Sequence, residues 1–141
     1  MSKFIEKLFK VTYCRIGVSK VKNAGVGVIA IRDIPKGVNP FNYVKHKCNY
    51  HHSKVVKLHR KEVKYAPPFL QKLIIDFISP DDKGYYSVPE DGFNSLDISF
   101  YMNHSGKPNV KAIEDECYFF AFVTTRNIKA GEELYIDYGK F

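Results

Sequence analysis

Four short stretches hold residues whose types and spacing could do chemistry. The segment FYMNHSGKPN, Phe100 to Asn109, strings an aromatic pair, an Asn-His-Ser triplet and a Pro-Asn turn together. A turn needs Pro and Asn but not the rest. Asn103 carries both a donor and an acceptor, and His104 invites a reading as a general base. The segment NAGVGV, residues 23–28, sets Gly25 and Gly27 on either side of Val26. Without Cβ atoms, two such glycines let backbone approach a ligand closely. The same pair also reads as a hairpin turn, and the further glycines and following helix of a dinucleotide fingerprint are missing. The chain closes on IKAGEELYIDYGKF. There Leu134 and Ile136 point one way and Tyr135 and Asp137 the other. Tyr138 follows beside Gly139, where a tyrosine either reaches into a pocket or serves as a core or edge aromatic. The fourth stretch is HKCNYHH, His46 to His52. A structural zinc site needs four well-placed ligands. This run is closely spaced and has no second group beyond His59, so it reads as a solvated basic loop and no metal is expected.

The elements that must position these residues are mostly strands. VTYCRIGVSKV and the apolar VGVIAIRDI from Val26 read as strands, separated by the turn KNAG. IPKG, residues 34–37, is a further turn in which Gly37 permits a left-handed corner. The middle changes character. SKVVKLHRKEVKY is basic and reads as helical, with Ser53 as N-cap. PPFLQKLIIDFIS is a clearer helix, because Phe69, Leu70, Leu73, Ile74, Phe77 and Ile78 recur at one-face spacing. Pro68 suits its first turn and Ser79-Pro80 ends it. GYYSVP, VKAIED, CYFFAFVTT and EELYIDYG return to strands, with turns at PEDG, SGKPN and KAGE.

Length and composition fit one globular domain: 141 residues, 45% hydrophobic and 26% charged. No apolar run approaches the roughly 20 residues of a membrane helix. The N-terminus is charged throughout and lacks the apolar core of a secretory signal, which places the protein inside a cell. Cys14, Cys48 and Cys117 form no pair with metal or disulfide spacing. The net charge of +7 hides an asymmetry. Residues 1–75 hold 16 Lys/Arg against 3 Asp/Glu, whereas residues 76–141 hold 6 against 12. The basic half points either to an anionic partner such as nucleic acid or to plain solubility. The acidic half suits a cationic partner.

Together, three of these segments resemble the SET-domain family of protein-lysine methyltransferases, in that family's order and over nearly the whole chain. GVGVIAIRDIPKG is similar to its opening glycine motif and the strand and turn that follow. FYMNHSGKPN is similar to its Asn-His-Ser block, and AGEELYIDYG to its closing block. The resemblance implies a mostly β fold (β-clip/SET): small β-sheets around a C-terminal pseudoknot in which the Asn-His-Ser segment is threaded by the C-terminal segment. It implies a single domain over residues 1–141 with a helical insertion at about 53–79. It implies transfer of a methyl group from S-adenosyl-L-methionine to a lysine side chain of a protein, leaving S-adenosyl-L-homocysteine.

Carried over by position, Gly25, Val26 and Gly27 offer backbone to the cofactor's methionine end. Asn103 hydrogen-bonds that end, His104 uses its backbone against the adenine, and Tyr138 is the catalytic tyrosine. Tyr101 walls the substrate channel, and Tyr43 is a looser match to another channel tyrosine. The implied partner is a lysine-bearing protein, a histone or another basic protein. Its surroundings would be cytoplasm or nucleus, or a host nucleus for a viral or bacterial member. The chain departs from the family pattern at Phe100, where Arg is common, and at Gly106, where zinc-bearing members have Cys. With no cysteine-rich tail, no zinc is expected. The channel wall must then come from the wider segment 44–95, from a second protomer in a homodimer, or from the substrate. The competing expectation is a SET-fold binding module, weak or inactive in catalysis, that recognises a protein or nucleic acid. No membrane association is expected.

Overall fold

The computed structural model describes residues 2–41, 55–90, 92–113 and 121–140. In chain order the elements are α1 (Lys3–Val11), β1 (Cys14–Val18), β2 (Val26–Ala30), β3 (Val55–His59), α2 (Arg60–Val63), α3 (Pro68–Phe77), β4 (Tyr85–Pro89), β5 (Asn103–His104), β6 (Val110–Ile113), β7 (Ala121–Thr124) and β8 (Glu133–Ile136). Short 3-10 turns cover Phe93–Ser95, Ile98–Tyr101 and Tyr138–Lys140. The chain forms two compact units: Met1–Tyr50 with Tyr101–Lys140, and His51–Phe100 with Phe141.

The first unit holds a four-stranded sheet in the order β1-β2-β8-β5. Strand β2 pairs antiparallel with β1 in the register Cys14↔Ala30 to Val18↔Val26, and with β8 through Val28↔Leu134 and Ile29↔Glu133. On its other side β8 runs parallel to β5, with Asn103 opposite Tyr135 and His104 opposite Ile136. The C-terminal strand therefore sits inside the sheet, between the glycine segment and the Asn-His segment. Antiparallel β6 and β7 form a separate ribbon, Val110↔Thr124 to Ile113↔Ala121. Apolar residues from several of these segments line the core, where Val28, Ile34, Val110, Ile128 and Leu134 are at most 1% exposed. The fold is mostly β, small sheets with few helices, as anticipated.

Turn chemistry holds the ends of this unit. Gly37 and Gly131 both have positive φ, +82° and +86°, as their turn roles require. The IPKG turn is clasped by Thr124, whose hydroxyl donates to Pro35 O at 2.7 Å and accepts from Val38 N–H. Helix α1 was not anticipated. Ser2 caps it by accepting the Ile5 N–H, and Arg32 holds its end by stacking on Phe9 and Tyr13 and donating to Lys10 O.

Cys14 donates weakly to Pro40 O, and burial pushes its thiol up to about 12. Thiolate is the reactive form. Alkylation with iodoacetamide at pH 8, mapped by mass spectrometry, is expected to leave Cys14 unmodified in the native protein and modify it after denaturation.

The second unit corrects one expectation. Helix was expected from Ser53 through Tyr65, but Val55–His59 is a strand paired antiparallel with Tyr85–Pro89. Val55 and Val56 are β-branched, and the cross-strand partner that favours them lies some thirty residues downstream, beyond the reach of local periodicity. Only Arg60–Val63 is helical there. His59 caps that helix, its Nδ1 accepting the Lys61 N–H while Glu62 accepts the His59 N–H. Helix α3 matches the expected span: Pro68 opens it and Ile74 is its buried anchor. Asp81 closes the following turn by accepting the N–H groups of Lys83 and Tyr85. Ser53, Tyr43, Cys48, Cys117 and the His46–His52 run lie outside the described residues.

Candidate active site

The site is built where β2, β5 and β8 adjoin. Its centre is Glu133, a carboxylate only 2% exposed. Oε1 accepts the Ser19 hydroxyl at 2.7 Å and an Asn103 amide hydrogen at 2.9 Å. Oε2 accepts the Lys20 N–H at 2.8 Å and the Tyr135 hydroxyl at 3.0 Å. Burial raises the carboxyl's pKa, but the bonds from Asn103, Ser19, Lys20 and Tyr135 outweigh it and leave the group below its ordinary value. Glu133 is thus ionised at neutral pH. Tyr135 responds in the opposite sense: burial, and then the bond to this anion, raise its pKa.

Asn103 is fixed from three directions. Its Nδ2 lies 2.9 Å from Val26 O, 2.9 Å from Glu133 Oε1 and 3.0 Å from Ser19 Oγ. A carbonyl and a carboxylate only accept, so the side-chain nitrogen must face them. The opposite atom, Oδ1, receives no donor among the described residues.

The two glycines serve different ends. Gly25 is exposed with φ +75°, a conformation that disfavours any side chain, and a Cβ there would meet nothing within 4 Å. Its carbonyl accepts the Ser19 N–H at 3.0 Å. Gly27 is buried, and a Cβ there would press into the Glu133 carboxylate, 2.8 Å from Cδ, and stand 3.1 Å from Asn103 Nδ2. The Gly27 position therefore accommodates the anion. Gly27→Ala is expected to displace Glu133 and lower the thermal midpoint by several degrees, about 2 kcal/mol for overpacking a tight site. An unchanged melting curve would show that the carboxylate has another place to go.

Tyr138 begins the terminal 3-10 turn. Its hydroxyl donates to Met102 O at 2.7 Å and its N–H to His104 Nδ1 at 3.1 Å, while the two rings lie 5.3 Å apart. Because Nδ1 accepts an N–H, it presents a lone pair, and any ring proton of neutral His104 sits on Nε2. Burial raises the Tyr138 phenol's pKa, so it stays protonated through neutral pH. Tyr101 closes the preceding 3-10 turn and adjoins the carbonyl that receives Tyr138. Beneath the site, Asn109 is 1% exposed and acts as an extra strand residue. Its Nδ2 donates to Glu133 O at 2.9 Å and its Oδ1 accepts the Tyr135 N–H at 2.8 Å. The Pro-Asn of the sequence is thus a buried clamp on β8 as well as a turn.

The SET domain family profile matches residues 25–139. This chain is a SET domain protein. Among solved structures, this SET chain is similar to a Plasmodium falciparum protein assigned as a histone methyltransferase, at 19% identity and a TM-score of 0.53, over 91% of this chain and 94% of that one. It is also similar to a humanised mutant of the Chaetomium thermophilum Polycomb Repressive Complex 2 bound to an inhibitor, at 20% identity and a TM-score of 0.54. An apo structure of a Polycomb complex with substitutions in its Ezh2 subunit matches at 20% identity and a TM-score of 0.58. The match spans 92% of this chain but 15% of each of those two chains. At these identities the likeness establishes the SET fold. No curated protein matches the chain by sequence.

Within this SET fold, Gly27 and Asn103 meet at the Glu133 anion, Val26 holds Asn103 through its carbonyl, and His104 and Tyr138 meet beside the parallel β5–β8 pair. Ser19, Lys20 and Glu133 escaped the sequence reading. The signal for Glu133 was its place in the closing AGEELYIDYG block, where it follows Glu132 and nothing local tells the buried glutamate from its less buried neighbour.

Proposed function

We propose that this SET protein transfers a methyl group from S-adenosyl-L-methionine to the ε-amine of a lysine in a protein, releasing S-adenosyl-L-homocysteine. One observation carries the reading: Tyr138, held by Met102 and His104, stands on the segment that also carries Asn103, and the strand leading into Tyr138 pairs with it. The residues present suit the cofactor. Asn103 Oδ1 is an acceptor with no donor among the described residues, and the Gly25–Val26 edge is exposed and bare of side chain at Gly25.

The cofactor supplies a sulfonium methyl group, and the protein supplies orientation and electrostatics. Gly25, Val26, Gly27, Asn103 and the backbone of His104 hold it. Tyr138 has committed its proton to Met102 O, so its phenol oxygen offers lone pairs to an incoming amine and orients it. Tyr101 and Tyr43 line the channel, where aromatic walls favour the neutral amine by desolvation and attract the cation on arrival. The reading takes residues 1–141 as one SET domain carrying the 53–79 segment as an insertion, acting inside a cell. Histones or other basic proteins are the proposed substrates, in keeping with the acidic half of the chain and with the assignment of one structural neighbour, from Plasmodium falciparum, as a histone methyltransferase.

The test is transfer of radiolabelled methyl groups to a histone mixture or a lysate. Tyr138→Phe is expected to lose at least about tenfold in rate, the scale of one lost orienting hydrogen bond to a reacting group. Equal labelling by both proteins would remove Tyr138 from the role. Because its phenol stays protonated, the wild-type rate should rise with pH as the substrate lysine deprotonates, without a fall below about pH 10. The basic first half favours one other reading, a SET-fold binding module for nucleic acid. That module would bind DNA with an affinity falling steeply as salt rises and would give no heat with S-adenosyl-L-methionine.

A further inference from the structure

We infer that Glu133 is a positioning residue that fixes Asn103 with its oxygen outward and so selects ligands bearing an ammonium group. The inference rests on the proposed methyl-transfer reading, since the ammonium concerned is that of the cofactor's methionine end.

Hydrogen-bond direction sets which end of Asn103 is free. An asparagine side chain can turn end for end at little cost, presenting either a donor or an acceptor. Here both hydrogens of Nδ2 are spoken for by acceptor-only atoms, Val26 O and Glu133 Oε1. Ser19 stands 3.0 Å from the same nitrogen and gives its own hydrogen to Glu133, so it too meets Nδ2 as an acceptor. Turning the amide would set its oxygen against three oxygens. Glu133 cannot yield instead: it is buried, pinned from its other side by the Lys20 N–H and the Tyr135 hydroxyl, and backed by Gly27, where only the missing Cβ leaves room. The atom left without a donor among the described residues is Oδ1, an acceptor, on an amide whose other end is held by Val26 O and a buried negative charge. Such a pair rewards a cationic donor and offers nothing to a ligand that lacks one.

The test compares S-adenosyl-L-homocysteine with its des-amino analogue, which keeps the carboxylate and lacks only the ammonium, by titration calorimetry. Wild type is expected to prefer the amino ligand by about tenfold, the scale of one charge-assisted bond. Glu133→Gln should erase most of that preference by weakening the amino ligand far more than the des-amino one. Asn103→Ala should erase the same preference, and the double variant should lose no more than either single one, because Glu133 acts through Asn103. Equal weakening of both ligands, or additive losses in the double variant, would make Glu133 merely structural and overturn the inference. Should Glu133→Gln fail to fold, Ser19→Ala keeps the carboxylate and removes one member of the lock. It is expected to reduce the preference about threefold, half of one charge-assisted bond on a logarithmic scale, and an unchanged preference would overturn the inference. A wild-type protein that binds neither ligand would sink the methyl-transfer reading itself, and this inference with it.

Discussion

Glu133→Ala is expected to destabilise the protein by about 3 kcal/mol, because it strands buried donors and opens a cavity where the carboxylate stood. The Lys20 N–H and the Tyr135 hydroxyl lose their common acceptor, and the Ser19 hydroxyl loses its closest one. In a domain of this size the loss corresponds to a thermal midpoint lowered by roughly 10 °C. Glu133→Gln keeps the volume but brings an NH2 group among donors, so it should cost nearly as much. The pH dependence separates charge from shape. Glu133 titrates lower in the folded protein than its ordinary value. Its contribution is therefore fully present above the unfolded value of about 4.3 and is lost as pH falls through the folded one. Urea unfolding between pH 6 and pH 3 should show wild-type stability falling with acid more steeply than that of Glu133→Gln. Parallel profiles would mean that the carboxylate's charge contributes nothing.

Removal of the Asn109 side chain should have an effect of similar size through a different cause. Asn109→Ala leaves the Glu133 carbonyl and the Tyr135 N–H without their partners in a site that is 1% exposed. Two buried backbone groups without bonds cost about 2–4 kcal/mol together. Asn109→Asp gives a sharper result. A carboxylate can accept the Tyr135 N–H but cannot donate to Glu133 O, and it is charged in a buried place. Its folded-state pKa would be raised above the ordinary 3.9, so this variant should lose stability as pH rises through that region and recover part of it in acid. That sign is opposite to the behaviour attributed to Glu133. A loss below about 1 kcal/mol for Asn109→Ala would show that water replaces the amide at little cost.

These two residues mark the boundary between what is legible in a sequence and what is not. Strand alternation places Leu134 and Ile136 in the core, and the turn residues Gly37 and Gly131 take the positive φ expected of them. Pro68 opens its helix as its missing N–H allows. All of these depend on a few neighbouring residues, so local pattern is enough. The three motif segments, in their order, likewise sufficed to point to the SET family. The middle of the chain behaved otherwise: Val55–His59 takes its strand form from Tyr85–Pro89, and His59, considered as a ligand, became a helix cap.

The chain's own order of residues thus determined its strands and turns outside the middle segment, its family and the segments that meet at the site, but not helix α1. Only the tertiary structure decided that Glu133 is buried, that Gly27 is glycine to make room for it, and that Asn109 stands in for a strand residue. The physical reason is distance along the chain. The Glu133 anion is held by Ser19, Lys20 and Asn103, which lie 114, 113 and 30 residues away. A charge satisfied from that far off looks, in sequence, like any other surface glutamate.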